Sequence, residues 1–362
     1  MVQAGYEVML VVPHDRDEMR SGVTVKAVGK PRNRLSRFTR TVWQLYKEAL
    51  RQHADVYHFH DPDLLPVGLA LSLRGKRVIY DVHEDLPRDI LLKSAHYLPG
   101  WVCPPLSWAM GAFETGVARR MSGVMAATAH IAKRFEAANS RTRVVRNFPL
   151  PAELQPDHEV AWLEREHSVA YVGGISIERG IRQMVETMAL LPHELNANLC
   201  LAGDFREQLH MDLEQVPGWE RVQLLGMLFR DDVARLLRRS RVGLVVLLPT
   251  PTFVVSLPTK LFEYMAAGIP VVASDFPLWR QIIEGAGCGL LVDPEKPRAI
   301  AEAIAYLLTH DDEAEAMGAR GRKAVTTTYN WSNEEKVLLR LYAEILNGLE
   351  GIPSPVRQNK IP

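Results

Sequence analysis

The sequence has few cysteines, no excess of charge of either sign and no long apolar run. Its three cysteines, Cys103, Cys200 and Cys288, lie far apart in a chain of 362 residues. This spacing argues against a disulfide framework and a CxxC zinc site, and a reducing setting is expected. Lys plus Arg and Asp plus Glu number 43 each, so the formal net charge of +0 gives no reason to expect a nucleic-acid partner.

The apolar runs are also too short for a membrane protein. None approaches the roughly 20 residues of a membrane-spanning helix, and the start, MVQAGYEVMLVVPHDRDE, lacks the basic residues of a signal peptide. We therefore expect a cytoplasmic protein. Apolar residues still make up 47% of the chain, which predicts buried cores rather than extended disorder.

Short apolar runs alternate with helical patterns along the chain. The first half predicts buried strands at 6–12, 54–59, 77–82, 123–128 and 142–147. The second half predicts them at 169–174, 197–203, 222–226, 242–248, 270–274 and 289–292. Hydrophobic strands that alternate with helices form parallel sheets covered on both faces, so we expect an α/β protein with two Rossmann-like domains.

Composition also suggests domain boundaries. The expected parts are an N-terminal domain (1–150), a linker rich in Pro and charge (151–167), a C-terminal domain (168–330), a last helix (331–350) and a tail (351–362). The capping-box spacing of Ser332 and Glu335 predicts the start of the last helix, and Gly348 its end. Met1 falls near the end of a predicted helix that stops at Gly5. The strand that normally opens such a domain is therefore missing, and a true start further upstream is the favoured explanation.

Two stretches place histidine beside carboxylate, HFHDPD (58–63) and YDVHED (80–85). A His-x-His-Asp cluster is a ligand set that a zinc or iron hydrolase would offer. The same residues can instead line a cleft, because the carboxyl ends of parallel strands meet at one edge of a sheet. A hydrolase would need further ligands, for which His130 is one candidate. The later strands end without histidine, so no metal site is expected.

The most informative stretch is SLPTKLFEYMAAGIPVVASD (256–275). Ser256 is expected to cap a helix that ends at Gly268. The exposed amides at the start of this helix, with Lys260 beside them, would form an anion site. Glu263 lies one turn further in, where its carboxylate can accept hydrogen bonds from two sugar hydroxyls. The simpler alternative makes Glu263 a partner of the helix dipole and Lys260 a solvated surface charge.

The second stretch is VAYVGGISIERGIRQMVETM (169–188). A predicted strand ends at Gly173-Gly174, and Arg179 lies at the start of the helix that follows. Backbone amides and a guanidinium there can hold a diphosphate. The stretch is not a GxGxxG fingerprint, so a dinucleotide site is poorly supported. An ordinary strand, turn and helix with an exposed arginine is the alternative.

Together these stretches resemble the retaining glycosyltransferases of family 4, which have the GT-B fold. Glu263 with YMAAGIPVVASD resembles the second half of the family's E-x7-E motif, and GGISIERG resembles G-R-x-x-x-x-K-G with Arg179 in place of Lys. Further similar segments follow in the family's order: LCLAGD (199–204), VQLLGML (222–228), CGLLVDP (288–294) and YNWS (329–332). The first Glu of E-x7-E would fall at Val255, and Gly174 replaces the Arg, so the chain resembles a variant form with P-x-K-x-x-E.

The resemblance implies two Rossmann-like domains that face each other across a cleft, with the C-terminal helix packed back on the N-terminal domain. It implies transfer of a sugar from a nucleotide-diphosphate sugar to an acceptor hydroxyl, with retention, without a metal or other cofactor, in polysaccharide or glycoconjugate synthesis. His83 matches a family histidine that faces the donor, and it would act with Arg179 and Lys260 in catalysis. The implied donor-binding residues are Gly173, Gly174, Arg179, Ser256, Thr259, Lys260 and Glu263. His60, Asp61 and Glu84 would line the cleft or bind the acceptor.

The expected acceptor is a glycan or a lipid-linked sugar. Segment 91–121 contains Leu98, Trp101, Trp108 and the pair Arg119-Arg120. It can present an apolar edge to such an acceptor, or to a membrane surface in peripheral association, and it can equally be a helix packed on the domain.

Two other functions stay open. A nucleotide-sugar epimerase can share the two-domain architecture, but it needs acid and base carboxylates near the sugar, and the missing Glu at position 255 counts against it. A metal-dependent hydrolase could use His58, His60 and His83, although this motif lacks the context that would support it.

Overall fold

The computed structural model describes residues 1–93, 99–154, 160–204 and 207–347. Two compact units divide the described chain. The first comprises Met1–Arg146 together with the described residues from Glu334 to Asn347, and the second comprises the described residues of Asn147–Asn333. Within the described part of the chain, none of the helices has the length and apolarity of a bilayer-crossing segment.

The first unit contains two sheets. Its strands are β1 (Val8–Pro13), β2 (Glu18–Arg20), β3 (Val23–Val28), β4 (Val56–Phe59), β5 (Arg77–Val82), β6 (Gly123–Ala126) and β7 (Thr142–Val144). One sheet has the order β1-β3-β2, with β3 parallel to β1 and antiparallel to β2. The other sheet has the order β4-β5-β6-β7 and is parallel throughout. Among the described residues, no strand joins the two sheets.

The hairpin of β2 and β3 was not predicted, because its strands are only partly buried and lack a continuous apolar run. The turn between them has positive φ at Ser21 (49°) and Gly22 (79°). Two consecutive residues with positive φ match the right-handed twist of a hairpin. Only Val25 and Val28 of β3 are buried.

Helices cover the parallel sheet of the first unit. They are α1 (Arg34–Ser36), which continues through a π-helical segment (Arg37–Thr41) into α2 (Val42–Arg51), then α3 (Leu65–Leu73), α4 (Leu86–Lys93), α5 (Cys103–Ala118) and α6 (Ala129–Glu136). The core lies between these helices and β4–β6, and it includes Leu65, Val78, Val124 and Phe135. Burial on the sheet explains why the apolar runs predicted the strands from β4 onward.

The second unit has one six-stranded parallel sheet. Its strands are β8 (Ser168–Val172), β9 (Asn198–Ala202), β10 (Val222–Gly226), β11 (Val242–Val245), β12 (Val271–Ser274) and β13 (Gly289–Val292). Their order in the sheet is β10-β9-β8-β11-β12-β13, and every pair is parallel. This is the order 3-2-1-4-5-6 of doubly wound nucleotide-binding sheets. The prediction of parallel α/β sheets is confirmed.

Helices lie on both faces of this sheet and give two buried cores. They are α7 (Ile181–Leu190), α8 (Glu207–Leu213), α9 (Arg230–Arg239), α10 (Pro251–Val254), α11 (Thr259–Ala267), α12 (Pro277–Ala286), α13 (Pro297–Thr309) and α14 (Asp311–Thr327). In the predicted linker, the described residues form two 3-10 turns, Pro151–Glu153 and Trp162–Glu164, and no strand.

The last helix, α15 (Trp331–Asn347), packs on the first unit as expected. Arg143 pairs with Glu344 at 2.8 Å, and Glu334 accepts a hydrogen bond from the Arg146 amide at 2.8 Å. The predicted capping box is wrong, because Ser332 lies inside the helix. Asn330 caps the start of α15, because its side-chain oxygen accepts a hydrogen bond from the Asn333 amide at 3.1 Å. The predicted stop at Gly348 and the tail (351–362) lie outside the described residues.

Candidate active site

The sheet of the second unit marks a place where a ligand can bind. The strand order reverses between β8 and β11, and in open α/β sheets ligands bind outside the carboxyl ends of the strands at such a point. Gly173 and Gly174 directly follow β8. The segment after β11 leads through α10 to the start of α11, which contains Thr259 and Lys260.

The loop after β8 depends on glycine. Gly173 has φ 119°, a value that L side chains rarely adopt, and a Cβ atom there would lie 3.3 Å from Lys260 Nζ. The Gly174 carbonyl oxygen accepts hydrogen bonds from the Tyr171 hydroxyl at 2.8 Å and from Arg179 Nη1 at 3.3 Å. The structure therefore brings together the predicted residues Gly173, Gly174, Arg179 and Lys260.

Lys260 is buried, with only 7% of the residue exposed. Its Nζ lies 3.5 Å from the centroid of the Tyr171 ring and has no hydrogen-bond partner. Burial, followed by the nearby Arg179 charge, lowers the pKa of Lys260 well below its usual value. The alternative of a solvated surface charge is therefore wrong, because the ammonium is directed under the glycine loop.

Glu263 lies one turn after Lys260 and is held by an arginine that no sequence motif indicates. Arg230 at the start of α9 donates from Nη1 to Glu263 Oε1 at 2.5 Å, and from Nε to Glu153 at 3.1 Å. Glu263, Arg230 and Thr259 line a cavity of about 360 Å³ together with the aromatic rings of Phe148 and Trp331. The alternative in which Glu263 only complements the helix dipole does not account for this ion pair.

Ser256 does not cap α11, and that prediction is wrong. The helix begins at Thr259, and the residue before it, Pro258, offers no side-chain hydrogen bond. Ser256 Oγ instead donates to the Phe253 carbonyl at 3.0 Å. The reason is that residues 250–256 form a short helix, α10, and the turn that ends it. Thr250 caps the start of α10. The first amides of α11 therefore lack a side-chain acceptor from the residue before the helix.

The first unit contains a second group of polar side chains, at the carboxyl ends of β4 and β5. Oδ2 of the buried Asp81 lies 3.4 Å from His58 Nε2, 3.2 Å from His60 Nδ1 and 3.2 Å from His83 Nε2. His60 Nδ1 and His83 Nε2 are 3.3 Å apart. The structure therefore brings His60 and His83 together, as predicted, and adds Asp81 as their shared partner.

Asp81 controls the charge of this cluster. Burial alone would raise the pKa of Asp81, but the imidazoles of His58, His60 and His83 outweigh burial and hold it far below its ordinary value. In return, the hydrogen bond to Asp81 raises the pKa of His83 against a smaller opposing effect of burial. An ionised carboxylate thus orients His83 and stabilises its protonated form.

The other candidate residues of the first unit are Asp61, Glu84 and His130. Asp61 and Glu84 are exposed. Asp61 directly follows His60 and has φ 64° and ψ 135°, which is unusual for a residue other than glycine. His130, the further candidate ligand of a hydrolase, lies 3.6 Å from Asp85 and 3.4 Å from Arg88. It therefore takes part in a different set of contacts.

Asp81 and Arg230 were not predicted, although the sequence contains a signal for Asp81. Asp81 and His83 are two positions apart in β5 and its extension, as His58 and His60 are in β4, so each pair shares one face of the sheet. Register places His58 beside Ile79 and Phe59 beside Tyr80, which aligns His60 with Asp81. Arg230 gave no such signal, because arginine is ordinary in the charged helix RDDVARLLRR.

Two family models match the chain over most of its length. The model of glycosyl transferases group 1 matches residues 157–324, and that of Glycosyltransferase Family 4 matches residues 1–148. A sucrose-phosphate synthase from Thermosynechococcus elongatus has a similar structure, with a TM-score of 0.77, 18% identity, and coverage of 96% of this chain and 90% of that one. This similarity confirms the GT-B fold.

Two curated relatives match shorter regions. An uncharacterized glycosyltransferase of Methanocaldococcus jannaschii is 26% identical over 222 residues, which cover 58% of this chain and 55% of the relative. A phosphatidyl-myo-inositol mannosyltransferase of Mycobacterium leprae is 38% identical over 85 residues, which cover 24% of this chain and 22% of the relative. The matches thus span about half or less of each relative. Since the two family models cover both halves in order, the chain belongs to the group 1, family 4 glycosyltransferases.

Proposed function

We propose that the protein transfers a sugar from a nucleotide-diphosphate sugar to an acceptor hydroxyl. One observation carries this proposal: the buried Lys260 Nζ has no hydrogen-bond partner and lies beneath the loop of Gly173 and Gly174. A buried ammonium without an acceptor is costly, and a diphosphate would supply one. The amides at the start of α11 and the Arg179 guanidinium would bind the same anion.

The donor roles follow from the second unit. Lys260 and Arg179 would neutralise the charge that grows on the leaving diphosphate, which is an electrostatic contribution that needs no metal. Glu263 would accept hydrogen bonds from the ribose hydroxyls, with Arg230 holding one of its carboxylate oxygens. Thr259 and the rings of Phe148 and Trp331 would surround the nucleoside in the same cavity.

His83 is proposed to act on the acceptor. Its contact with the Asp81 carboxylate fixes one ring nitrogen, and this leaves the imidazole oriented and more basic than usual. It can hydrogen-bond to the incoming hydroxyl or to the donor phosphate, while His60, Asp61 and Glu84 line the same region of the first unit. Retention of configuration by front-face attack is proposed from family membership.

The acceptor is proposed to be a glycan or a lipid-linked sugar, with peripheral attachment to a membrane. Trp101 and Trp108 are 79% and 77% exposed, so neither packs on its unit. Trp108 lines a groove of about 680 Å³ between α4 and α5, together with Leu91 and Arg119. Exposed aromatic rings beside arginine suit the interface of an anionic membrane. Leu98, which was expected to join this edge, lies outside the described residues.

The alternatives have less support. The family matches are to transferases and do not favour an epimerase. A hydrolase built on His58, His60 and His83 would leave the buried Lys260 and the ion pair of Arg230 and Glu263 without a role. The relatives are described as acting in sugar transfer, and the Mycobacterium leprae enzyme is described as a mannosyltransferase. A mannose donor is therefore the first to test.

The proposal is tested with a panel of nucleotide-diphosphate sugars in the presence of EDTA. We expect one donor to raise the melting temperature and to be hydrolysed slowly without an acceptor, because binding to the folded state stabilises it. Lys260→Met should abolish both effects, whereas Lys323→Met, a change at an exposed lysine of α14, should leave them intact. Absence of any donor effect in the wild type, or activity that collapses on chelation, would contradict the proposal.

A further inference from the structure

We infer that His58, His60, Asp81 and His83 form a binding site for one divalent transition-metal ion, with Zn²⁺ as the best fit. The four side chains come from the ends of two adjacent strands of one unit, and one ring nitrogen of each histidine lies within 3.4 Å of Asp81 Oδ2. This inference depends on the geometry of the first unit alone and does not require that the proposed transfer reaction is correct.

The distances match those of a zinc coordination shell. His60 Nδ1, His83 Nε2 and Asp81 Oδ2 form a nearly regular triangle with sides of 3.3, 3.2 and 3.2 Å. Zinc binds nitrogen and carboxylate oxygen tetrahedrally at about 2.0–2.1 Å, which places neighbouring ligand atoms about 3.4 Å apart. The triangle is therefore one face of a tetrahedron of the correct size, and the ion would lie just off its centre.

His58 adds a nearby buried nitrogen. Its Nε2 lies 3.4 Å from Asp81 Oδ2 without making a proper hydrogen bond, so it is buried and unpaired. Its other ring nitrogen, Nδ1, is 2.8 Å from the Tyr342 hydroxyl in α15. A proton on Nδ1 that is donated to the Tyr342 hydroxyl would leave the Nε2 lone pair free for a metal ion, and such a hydrogen bond is the usual support of a histidine ligand.

Hydrogen bonds alone explain the arrangement less well. To donate to Asp81, His60 Nδ1 and His83 Nε2 must both carry a proton, yet these nitrogens are 3.3 Å apart and their protons would repel each other. A cation at this point would accept both nitrogen lone pairs and bind Asp81 Oδ2, so the repulsion between the two protons is removed.

The types of ligand narrow the choice of ion, and the exposure of two of the histidines gives the ion access to the site. Imidazole with one carboxylate suits zinc, cobalt or nickel rather than magnesium or calcium, which prefer oxygen ligands. The side chains of His60 and His83 are 57% and 34% exposed, whereas Asp81 is buried, so an ion has a path from solvent to a preformed carboxylate.

The test is calorimetric titration of Zn²⁺ into the full chain, without an affinity tag and after EDTA treatment and dialysis. We expect one zinc ion per chain and a higher melting temperature. His58→Gln and Asp81→Asn should each weaken binding by at least about 10-fold, and Tyr342→Phe by about 10-fold through the supporting hydrogen bond. Co²⁺ in place of Zn²⁺ should give the visible absorption of a low-coordinate site.

The matched control is His53→Asn, a change at an exposed histidine before β4 whose positive φ of 50° asparagine tolerates. It should bind zinc as the wild type does. If a ligand variant does not fold, Tyr342→Phe and the zinc-dependent melting temperature of the wild type still decide the question. The inference is overturned if the wild type binds no zinc, or if His58→Gln, Asp81→Asn and Tyr342→Phe all bind zinc as tightly as His53→Asn does.

Discussion

At the scale of single residues, the buried charge of Lys260 is the feature with the clearest consequences. The buried charge lowers the stability of the folded protein, but it favours the binding of an anion that can supply the missing hydrogen-bond acceptor. Tyr171 and the glycine loop offer the ammonium a ring face but no hydrogen-bond acceptor. Removing the charge should therefore separate the two effects.

We expect Lys260→Met to maintain or raise the free energy of unfolding and to weaken donor binding. The apolar replacement removes an uncompensated buried charge, whereas the loss of a buried partner for the diphosphate should cost about 2 kcal/mol or more, roughly 30-fold in affinity. Urea unfolding and calorimetry with the nucleoside diphosphate measure both quantities, with Lys323→Met as the control. Unchanged affinity would place the anion site elsewhere.

Lys260 should also make stability depend on pH. Its pKa in the folded state lies well below the value of about 10.5 expected in the unfolded state. Between these two values the unfolded chain binds the additional proton, so the free energy of unfolding should rise with pH. The wild type should show this rise in urea unfolding between neutral and alkaline pH, and Lys260→Met should show a smaller slope. Equal slopes would mean that Lys260 remains charged.

His83 gives a separate prediction at the same scale. If it acts on the acceptor or the donor, His83→Ala should lower the transfer rate by about 10²-fold or more, the usual effect of one positioned acid or base. Nucleoside diphosphate affinity should change less, since Lys260 and Glu263 belong to the other unit. Rates should be measured in EDTA so that bound metal plays no part. A variant that loses stability but keeps its rate would show that His83 only packs.

The sequence predicted some of these residues and missed others for physical reasons. Lys260, Glu263 and Arg179 belong to short motifs, where the spacing along a helix or loop fixes which residues meet. Arg230 meets Glu263 across 33 positions of sequence, and only the packing of α9 beside α11 brings them together. Asp81 was hidden in an otherwise apolar strand, where a buried carboxylate is the exception.

At the scale of secondary-structure elements, the apolar runs predicted strands better than capping residues predicted helix starts. The runs for β5, β10 and β13 gave the observed bounds, because these strands are bounded sharply by turns. Helix starts were less predictable. Ser256 and Ser332 have good capping chemistry, yet Pro258 and Asn330 precede the observed helices, since Ser256 bonds back to Phe253 in the preceding turn and Asn330 accepts from the Asn333 amide.

Helix α5 provides a prediction about stability. Glu114 is fully buried, accepts a hydrogen bond from the Tyr80 hydroxyl at 2.8 Å and pairs with Arg134 at 2.5 Å. Removal of one partner of a buried ion pair leaves the other charge uncompensated. Arg134→Met should therefore lower the free energy of unfolding by up to about 3 kcal/mol, and the double variant with Glu114→Gln should recover part of this loss. Urea unfolding measures both, and additive losses would contradict the pairing.

At the scale of the whole molecule, the chain starts in one unit, forms the second and returns to the first through α15. The returning helix is held by packing as well as by ion pairs: Leu341 is fully buried, and a Cβ atom at Gly123 would lie 3.0 Å from its Cδ1 atom. The stability of the first unit should therefore depend on residues at the far end of the sequence, while the second unit contains its own sheet and two cores.

Leu341→Ala tests this dependence. Truncation of a buried leucine costs about 2–5 kcal/mol, and here the loss should fall on the first unit alone. Thermal unfolding should then show an early transition that Leu341→Ala moves to lower temperature, and a later one that a nucleoside diphosphate moves to higher temperature. The exposed Lys336→Ala in the same helix is the control and should move neither. A single transition that responds equally to the truncation and to the nucleotide would mean that the two units unfold as one.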